Sequence, residues 1–125
     1  MRKYPDIRYI LSHAGGTVPY LVGRVKMAIG LGTRFKEAMP DGLESCLKRF
    51  YYDTAISAFS YAFAPLDELA GSSRIVFGTD YPFVPSAGVP ITINGLRNYA
   101  GFDAHDVAAI ERLNIASLFP RLSRD

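Results

Sequence analysis

Two patterns of apolar and polar positions alternate along the chain. Short runs rich in β-branched and aromatic residues lie at Ile7–Ser12, Phe50–Thr54 and Arg74–Gly78. The first is apolar on both faces toward its end, as a parallel strand covered on both sides requires. Between these runs the apolar residues take helical spacing. Thr17 is a cap candidate and Pro19 suits a first turn. Over Pro19–Ile29, Leu21, Val22, Val25 and Ile29 share a face, and Gly30 and Gly32 end the helix. Pro40-Asp41-Gly42 opens a second helix, from Leu43 to about Arg49. Further helices are predicted over Ser60–Ala70, which ends at the turn Gly71-Ser72-Ser73, and over Pro90–Tyr99. Another runs from an Asp103 cap to about Leu113, and Asn114–Leu118 closes the chain. No repeat or low-complexity segment interrupts this order.

The order is therefore β-α-α-β-α-β-α-α. Strands alternating with helices predict an α/β fold with a parallel sheet and right-handed crossovers. Ligands of such sheets gather at the carboxyl ends of the strands. That rule selects His13, Asp53-Thr54 and Thr79-Asp80. The Pro- and Gly-rich loop Tyr81–Gly88 is longer than most strand-to-helix connections, and long loops in compact domains often carry function.

Composition narrows the classes. A chain of 125 residues, 49% hydrophobic and 21% charged, suits one domain with a buried core. Its formal charge is +2, from 14 basic and 12 acidic residues. Arg2, Lys3 and Arg8 lie at one end and Arg121 and Arg124 at the other, with no basic stripe, so nucleic acid is not an expected partner. Cys46 is the single cysteine, which rules out an intrachain disulfide and cysteine-cluster zinc sites. Its place in the amphipathic "LESCLKRF" suits a small core residue better than a nucleophile. No run approaches the roughly 18 apolar residues of a membrane span, and Met-Arg-Lys leads into Tyr-Pro-Asp rather than an apolar signal core. A cytoplasmic location is the expectation.

His13 and Asp80 are the first candidates for chemistry. On neighbouring parallel strands they would share one rim, where they could bind a metal or act as a base and its orienter. Asp53 could join them. Each also has a plain structural role available: His13 as a hydrogen-bonded strand-end residue, Asp80 as a turn cap before Tyr81-Pro82. Gly15-Gly16 would admit a ligand to the backbone or simply form a tight turn. "HAGG" lacks the dinucleotide fingerprint and the Gly-Lys-Ser/Thr ending of a phosphate loop. Arg24, a turn or so into the first helix, could pair with a carboxylate or stand in solvent. His105, in "DAHDVAA", reads as an exposed residue beside a cap. A catalytic zinc site wants about three protein ligands plus water. With two histidines in all and no H-x-H pair, this chain does not assemble one alone.

"SHAGGTVPYLVGR", "FYYDTA" and "RIVFGTDYPF", in this order and spacing, resemble the amidohydrolase superfamily. The branch they resemble is the aminocarboxymuconate-semialdehyde decarboxylase group, which includes the resorcylate and methylsalicylate decarboxylases. The likeness runs from about Ile7 to Phe119 and includes "LNIASLF". The family fold is a (β/α)8 barrel, usually of about 250 residues or more. The resemblance implies that residues 1–125 are the C-terminal portion of such a TIM-type barrel, about strands six to eight, with no second domain. It implies that Asp80 is the aspartate ligand of the catalytic metal, usually zinc. His13 resembles the family's catalytic acid/base, which lies beside the metal without ligating it. Arg24 matches an arginine that in some members binds a substrate carboxylate across a dimer interface. Asp53 acquires no firm role. The family's H-x-H pair and its strand-five histidine have no counterpart in this sequence and would lie before Met1.

The leading expectation is thus part of a metal-dependent carbon–carbon lyase, or a related hydrolase. Its substrate would be a small aromatic or unsaturated carboxylic acid, and the chain alone would be inactive. A homo-oligomer is expected. A competing reading is a non-catalytic partial barrel that self-associates through two unpaired sheet edges. A third is a small, complete α/β binding domain.

Overall fold

The computed structural model describes residues 4–30 and 39–123. The strands are β1 (Ile10–Leu11), β2 (Tyr51–Asp53) and β3 (Ile75–Val76). Helix α1 (Val18–Gly30) follows β1, and α2 (Leu43–Leu47) precedes β2. Helix α3 (Ser60–Ala70) links β2 to β3, and α4 (Val89–Arg97) follows the long loop after β3. The chain then runs through α5 (Ala104–Ala108), a π-helical turn (Ala109–Leu113) and α6 (Asn114–Leu118). The strands form one parallel sheet in the order β1-β2-β3, with Ile10 opposite Tyr51, Leu11 opposite Tyr52, Tyr52 opposite Ile75 and Asp53 opposite Val76.

The helices follow the apolar spacing closely, and α3 has the expected bounds. Gly30 is inside α1 rather than beyond it. Gly32, Arg2, Lys3 and Arg124 lie outside the described residues. The strands are shorter than the apolar runs that predicted them. β1 stops at Leu11 because His13 and Ala14 take positive φ, which cannot continue a ladder. Beyond β2 the pairing continues from the main chain of Thr54, whose N–H donates to Val76 O at 3.1 Å.

Alternation along the strands divides the side chains between two faces. Leu11, Tyr52 and Ile75 turn toward the helices and join a core with Ala14, Phe63, Leu66, Leu96, Phe102 and Ile110. Tyr52, Phe63, Leu66, Ile75, Leu96 and Ile110 are fully buried. Each is worth about 1.5–3 kcal/mol on burial, so this layer holds the helices to the sheet. Phe63, Tyr99 and Phe102 pack as a cluster, with ring centroids 4.7–5.3 Å apart. The Tyr52 hydroxyl donates to Leu47 O at 2.9 Å, and burial pushes its phenol up to about 12. Tyr51 faces the other way and carries the Arg74 guanidinium 4.9 Å over its ring.

The C-terminal segment departs from the single helix expected to Leu113. Asp103 caps α5 through a reciprocal box with Asp106, and the helix then widens into the π turn. There the Ile110 carbonyl accepts from Phe77 N–H at 3.0 Å. Asn114 Nδ2 donates to Ser72 O at 2.9 Å and to Ile75 O at 2.7 Å. These bonds take up Ile75 O of β3, Phe77 N–H just beyond it and Ser72 O in the turn before it. The expectation of two bare edges is corrected for this side: helix covers the β3 edge, one of the ways proteins protect such edges. The β1 side keeps Ile7 and Ile10 exposed, at 47% and 39%. Among the described residues no helix is long and apolar enough to cross a membrane.

Candidate active site

All three strands end in left-handed backbone. His13 (φ +56°) and Ala14 (φ +54°) follow β1, Ile56 (φ +51°) follows β2 and Asp80 (φ +64°) follows β3. The left-handed conformation costs a residue with a Cβ roughly 1–2 kcal/mol. Here all four non-glycine instances among the described residues stand on the carboxyl rim of the sheet. Such conformations persist only where neighbours over-determine them, and they cluster at functional sites.

The neighbours that hold His13 come from β2. Asp53 Oδ1 accepts from the His13 main-chain N–H at 2.7 Å and from Ala55 N–H at 3.1 Å. The His13 ring places Nδ1 3.0 Å from Ala55 O. A carbonyl oxygen only accepts, so Nδ1 carries the proton in this pair and Nε2 of the neutral ring is the basic nitrogen. Among the described residues Nε2 has no partner. Gly15 continues the turn at φ +75°, and a Cβ there would stand 2.9 Å from Cδ1 and Cε1 of buried Tyr52. Both the conformation and the space therefore require glycine. The main chain closes the turn with Gly15 N–H on Ser12 O and Gly16 N–H on His13 O.

The second tie joins β2 to the Asp80 loop. The buried Thr54 hydroxyl donates to Gly78 O at 2.8 Å and accepts from Gly78 N–H at 3.0 Å. One side chain thus ties β2 to the segment beyond β3 by two bonds to its main chain. Gly78 lies close against Asp53, where an added Cβ would come within 3.4 Å of the Asp53 Cβ. Two residues later Asp80 turns left-handed, its carbonyl accepts from Val84 N–H at 2.9 Å, and a cis Tyr81–Pro82 bond follows. Asp80 is half-buried, and no hydrogen bond or ion pair among the described residues engages its carboxylate. Tyr81 and Phe83 stand exposed beside it.

The rim thus brings His13 together with Asp53 and Ala55, and Thr54 with Gly78. No hydrogen bond or ion pair joins His13, Asp80 and Arg24 to one another among the described residues. The strands bearing His13 and Asp80 are not neighbours, contrary to expectation: β2 lies between them in space as well as in sequence. Arg24 is exposed on α1. Asp53, a strand-end candidate that sequence reasoning left without a firm role, is the most connected carboxylate of the rim. Its one legible signal was its place at a strand end.

The donors suit a metal only in part. Asp80 offers a free carboxylate and His13 a free Nε2, short of the three protein ligands typical of a catalytic site. Asp103, His105 and Asp106 place possible ligand atoms within 4.8 Å of one another. Their carboxylates are already engaged, however. Asp103 accepts from Asp106 N–H at 2.8 Å, and Asp106 accepts from Asp103 N–H at 3.1 Å and from the Ser72 hydroxyl at 2.5 Å. This group is a helix cap, and His105 is exposed beside it as expected.

The chain is an α/β unit with a three-stranded parallel sheet, its histidine tethered at the carboxyl rim, and comparison with known proteins gives the family. The amidohydrolase family profile matches residues 1–121, and the chain belongs to that family. It is 33% identical over 122 residues to a 6-methylsalicylic acid decarboxylase of Penicillium expansum, covering 98% of this chain and 37% of that protein. The apo crystal structure of IDCase from Metarhizium anisopliae superposes with a TM-score of 0.77 at 25% identity, over 95% of this chain and 35% of that one. A Polaromonas dihydroxybenzoic acid decarboxylase, solved with manganese and 2-nitroresorcinol, superposes with a TM-score of 0.77 at 24% identity, over 99% and 36%. The chain therefore spans little more than a third of the length of the relatives it matches.

Proposed function

We propose that this chain supplies the proton-handling rim of a decarboxylase acting on a small aromatic carboxylic acid. It would do so as the C-terminal portion of a (β/α)8 barrel, about strands six to eight, forming a single unit with the strands that precede it. One observation carries the reading. In a chain related to 6-methylsalicylic acid decarboxylase, His13 is held at the carboxyl rim by its main chain and by Nδ1, leaving Nε2 free.

Loss of carbon dioxide leaves an electron pair on the ring carbon, which must then take a proton. His13 Nε2 suits that transfer, because Nδ1–H stays on Ala55 O while Nε2 gives or receives the proton. Asp80 would hold a divalent metal together with ligands from outside this chain. A carboxylate donor suits manganese as well as zinc. When bound, the metal supplies positive charge that holds the substrate's oxygen groups. Arg24 would pair with the substrate carboxylate of a neighbouring subunit. Val18, Tyr20, Val25 and Met27 are exposed along the same helix, an apolar surface that a second copy would cover.

The test uses a longer polypeptide, made by placing strands that bear histidine ligands ahead of this chain. Loaded with manganese or zinc, it is given 6-methylsalicylate or 2,6-dihydroxybenzoate and assayed for carbon dioxide. Release that disappears in Asp80→Ala and His13→Gln is expected, with metal content lost only in Asp80→Ala. The 125-residue chain alone should release none. Absence of metal binding and turnover in the longer polypeptide would sink the proposal, and hydrolysis of an ester analogue instead would move it to the hydrolases.

A further inference from the structure

We infer that Asp53 is the positioning residue that sets the tautomer and orientation of His13. Its functional meaning rests on the reading of His13 as a proton carrier; the geometry beneath it does not. Three consecutive residues of the β2 end hold residue 13 and its surroundings. Asp53 Oδ1 grips the His13 main chain at 2.7 Å and the Ala55 main chain at 3.1 Å, so one oxygen joins the two segments. The Ala55 carbonyl then stands 3.0 Å from the imidazole Nδ1. Thr54, between them, is pinned to Gly78 by two hydrogen bonds. The middle strand therefore anchors both flanking strand ends.

The carboxylate has a definite task in this arrangement. His13 and Ala14 sit in the left-handed region, where residues with a Cβ do not remain unless held. A hydrogen bond from a main-chain N–H to a charged carboxylate is roughly twice as strong as one to a neutral acceptor. It compensates the strain and keeps His13 in the one backbone conformation that carries Nδ1 to Ala55 O. Without it the turn can relax to negative φ, the ring leaves the carbonyl, and either nitrogen can carry the proton. Asp53 touches no reacting atom in this scheme, so it acts only through His13.

The experiment is long-range proton–nitrogen NMR of the imidazole rings, at a pH where both histidines are neutral. His105, exposed at the α5 cap, is the internal reference. His13 is expected to show a protonated Nδ1 and a bare Nε2. In Asp53→Ala it should move to the averaged pattern of a free imidazole, while Asp53→Asn, whose neutral amide oxygen can accept the same two bonds but more weakly, should shift it only part of the way. Asp53→Glu keeps the charge but displaces the acceptor by a methylene. It serves if Asp53→Ala does not fold, and its His13 should also shift. An Nε2–H tautomer in the wild type overturns the inference, as does a His13 pattern that ignores both Asp53→Ala and Asp53→Glu. In the longer polypeptide Asp53→Ala should lower kcat on the order of 100-fold with KM little changed. If turnover is never found while the tautomer follows Asp53, the positioning stands and the catalytic reading falls. If turnover is found while the tautomer ignores Asp53, only the positioning falls.

Discussion

Replacing Thr54 with valine removes one oxygen and keeps the shape of the side chain. Thr54 is fully buried, and its hydroxyl makes two bonds to one residue, donating to Gly78 O at 2.8 Å and accepting from Gly78 N–H at 3.0 Å. Each neutral hydrogen bond is worth about 0.5–1.5 kcal/mol net, and an orphaned buried partner costs about 1–3 kcal/mol. Gly78 is half-buried, so water recovers part of that loss, and the sum comes to about 2–4 kcal/mol. Thr54→Ser keeps both bonds and loses a methyl, for about 1 kcal/mol. Urea unfolding followed by circular dichroism measures both variants, with the slope expected to stay constant. At roughly 4 °C per kcal/mol for a chain of this size, valine should lower Tm by about 8–16 °C and serine by about 4 °C. Faster hydrogen exchange at the Gly78 amide in the valine variant would place the loss at the Asp80 loop. If serine costs as much as valine, the methyl rather than the hydroxyl holds this site, and the two bonds to Gly78 do not stabilise the rim.

Four further outcomes follow from the packing and the charges. Gly15→Ala should destabilise by about 2–4 kcal/mol, from left-handed strain plus overpacking against Tyr52; a loss below about 1 kcal/mol in urea unfolding would show that the ring yields. Asn114→Ala should cost about 1–3 kcal/mol and raise light scattering as the β3 edge loses cover, and Asn114→Asp, which cannot donate to the two carbonyls, should be worse. Asp106 is held below the usual carboxylate range by the Ser72 hydroxyl first and the Asp103 main chain second, and Asp67 is raised by burial first, then by Asp106 and Glu68. The Asp106 contribution is therefore full above about pH 4 and lost as pH falls through its folded value, so Ser72→Ala should flatten the acid limb of a stability–pH curve. For Asp67 the sign reverses: its contribution is lost as pH rises through its folded value, and Asp67→Asn should gain stability at pH 7 but not below about pH 4.

The helices and the existence of the strands were legible in the chain itself. Helical spacing of apolar residues, Pro19 near a helix start and the Asp103 cap are local signals, and local signals survive folding intact. Alternation of strand and helix likewise sufficed for a parallel sheet, because crossover handedness leaves few arrangements. His13 and Asp80 were legible as candidates for the same reason: a strand end is a position along the chain. Strand order is not a local property. That β2 lies between the other two depends on which strands exchange main-chain bonds, and this decided that His13 meets Asp53 rather than Asp80. The π turn at Ala109–Leu113 and the covered β3 edge have the same origin. Each arises where one segment satisfies the main-chain groups of another far along the chain, as Ile110 does for Phe77 and Asn114 for Ile75. The sequence by itself determined the order of the elements and the candidate residues at the strand ends. The tertiary structure alone decided which of those residues hold one another, because a hydrogen bond depends on distances in space and not on separation along the chain.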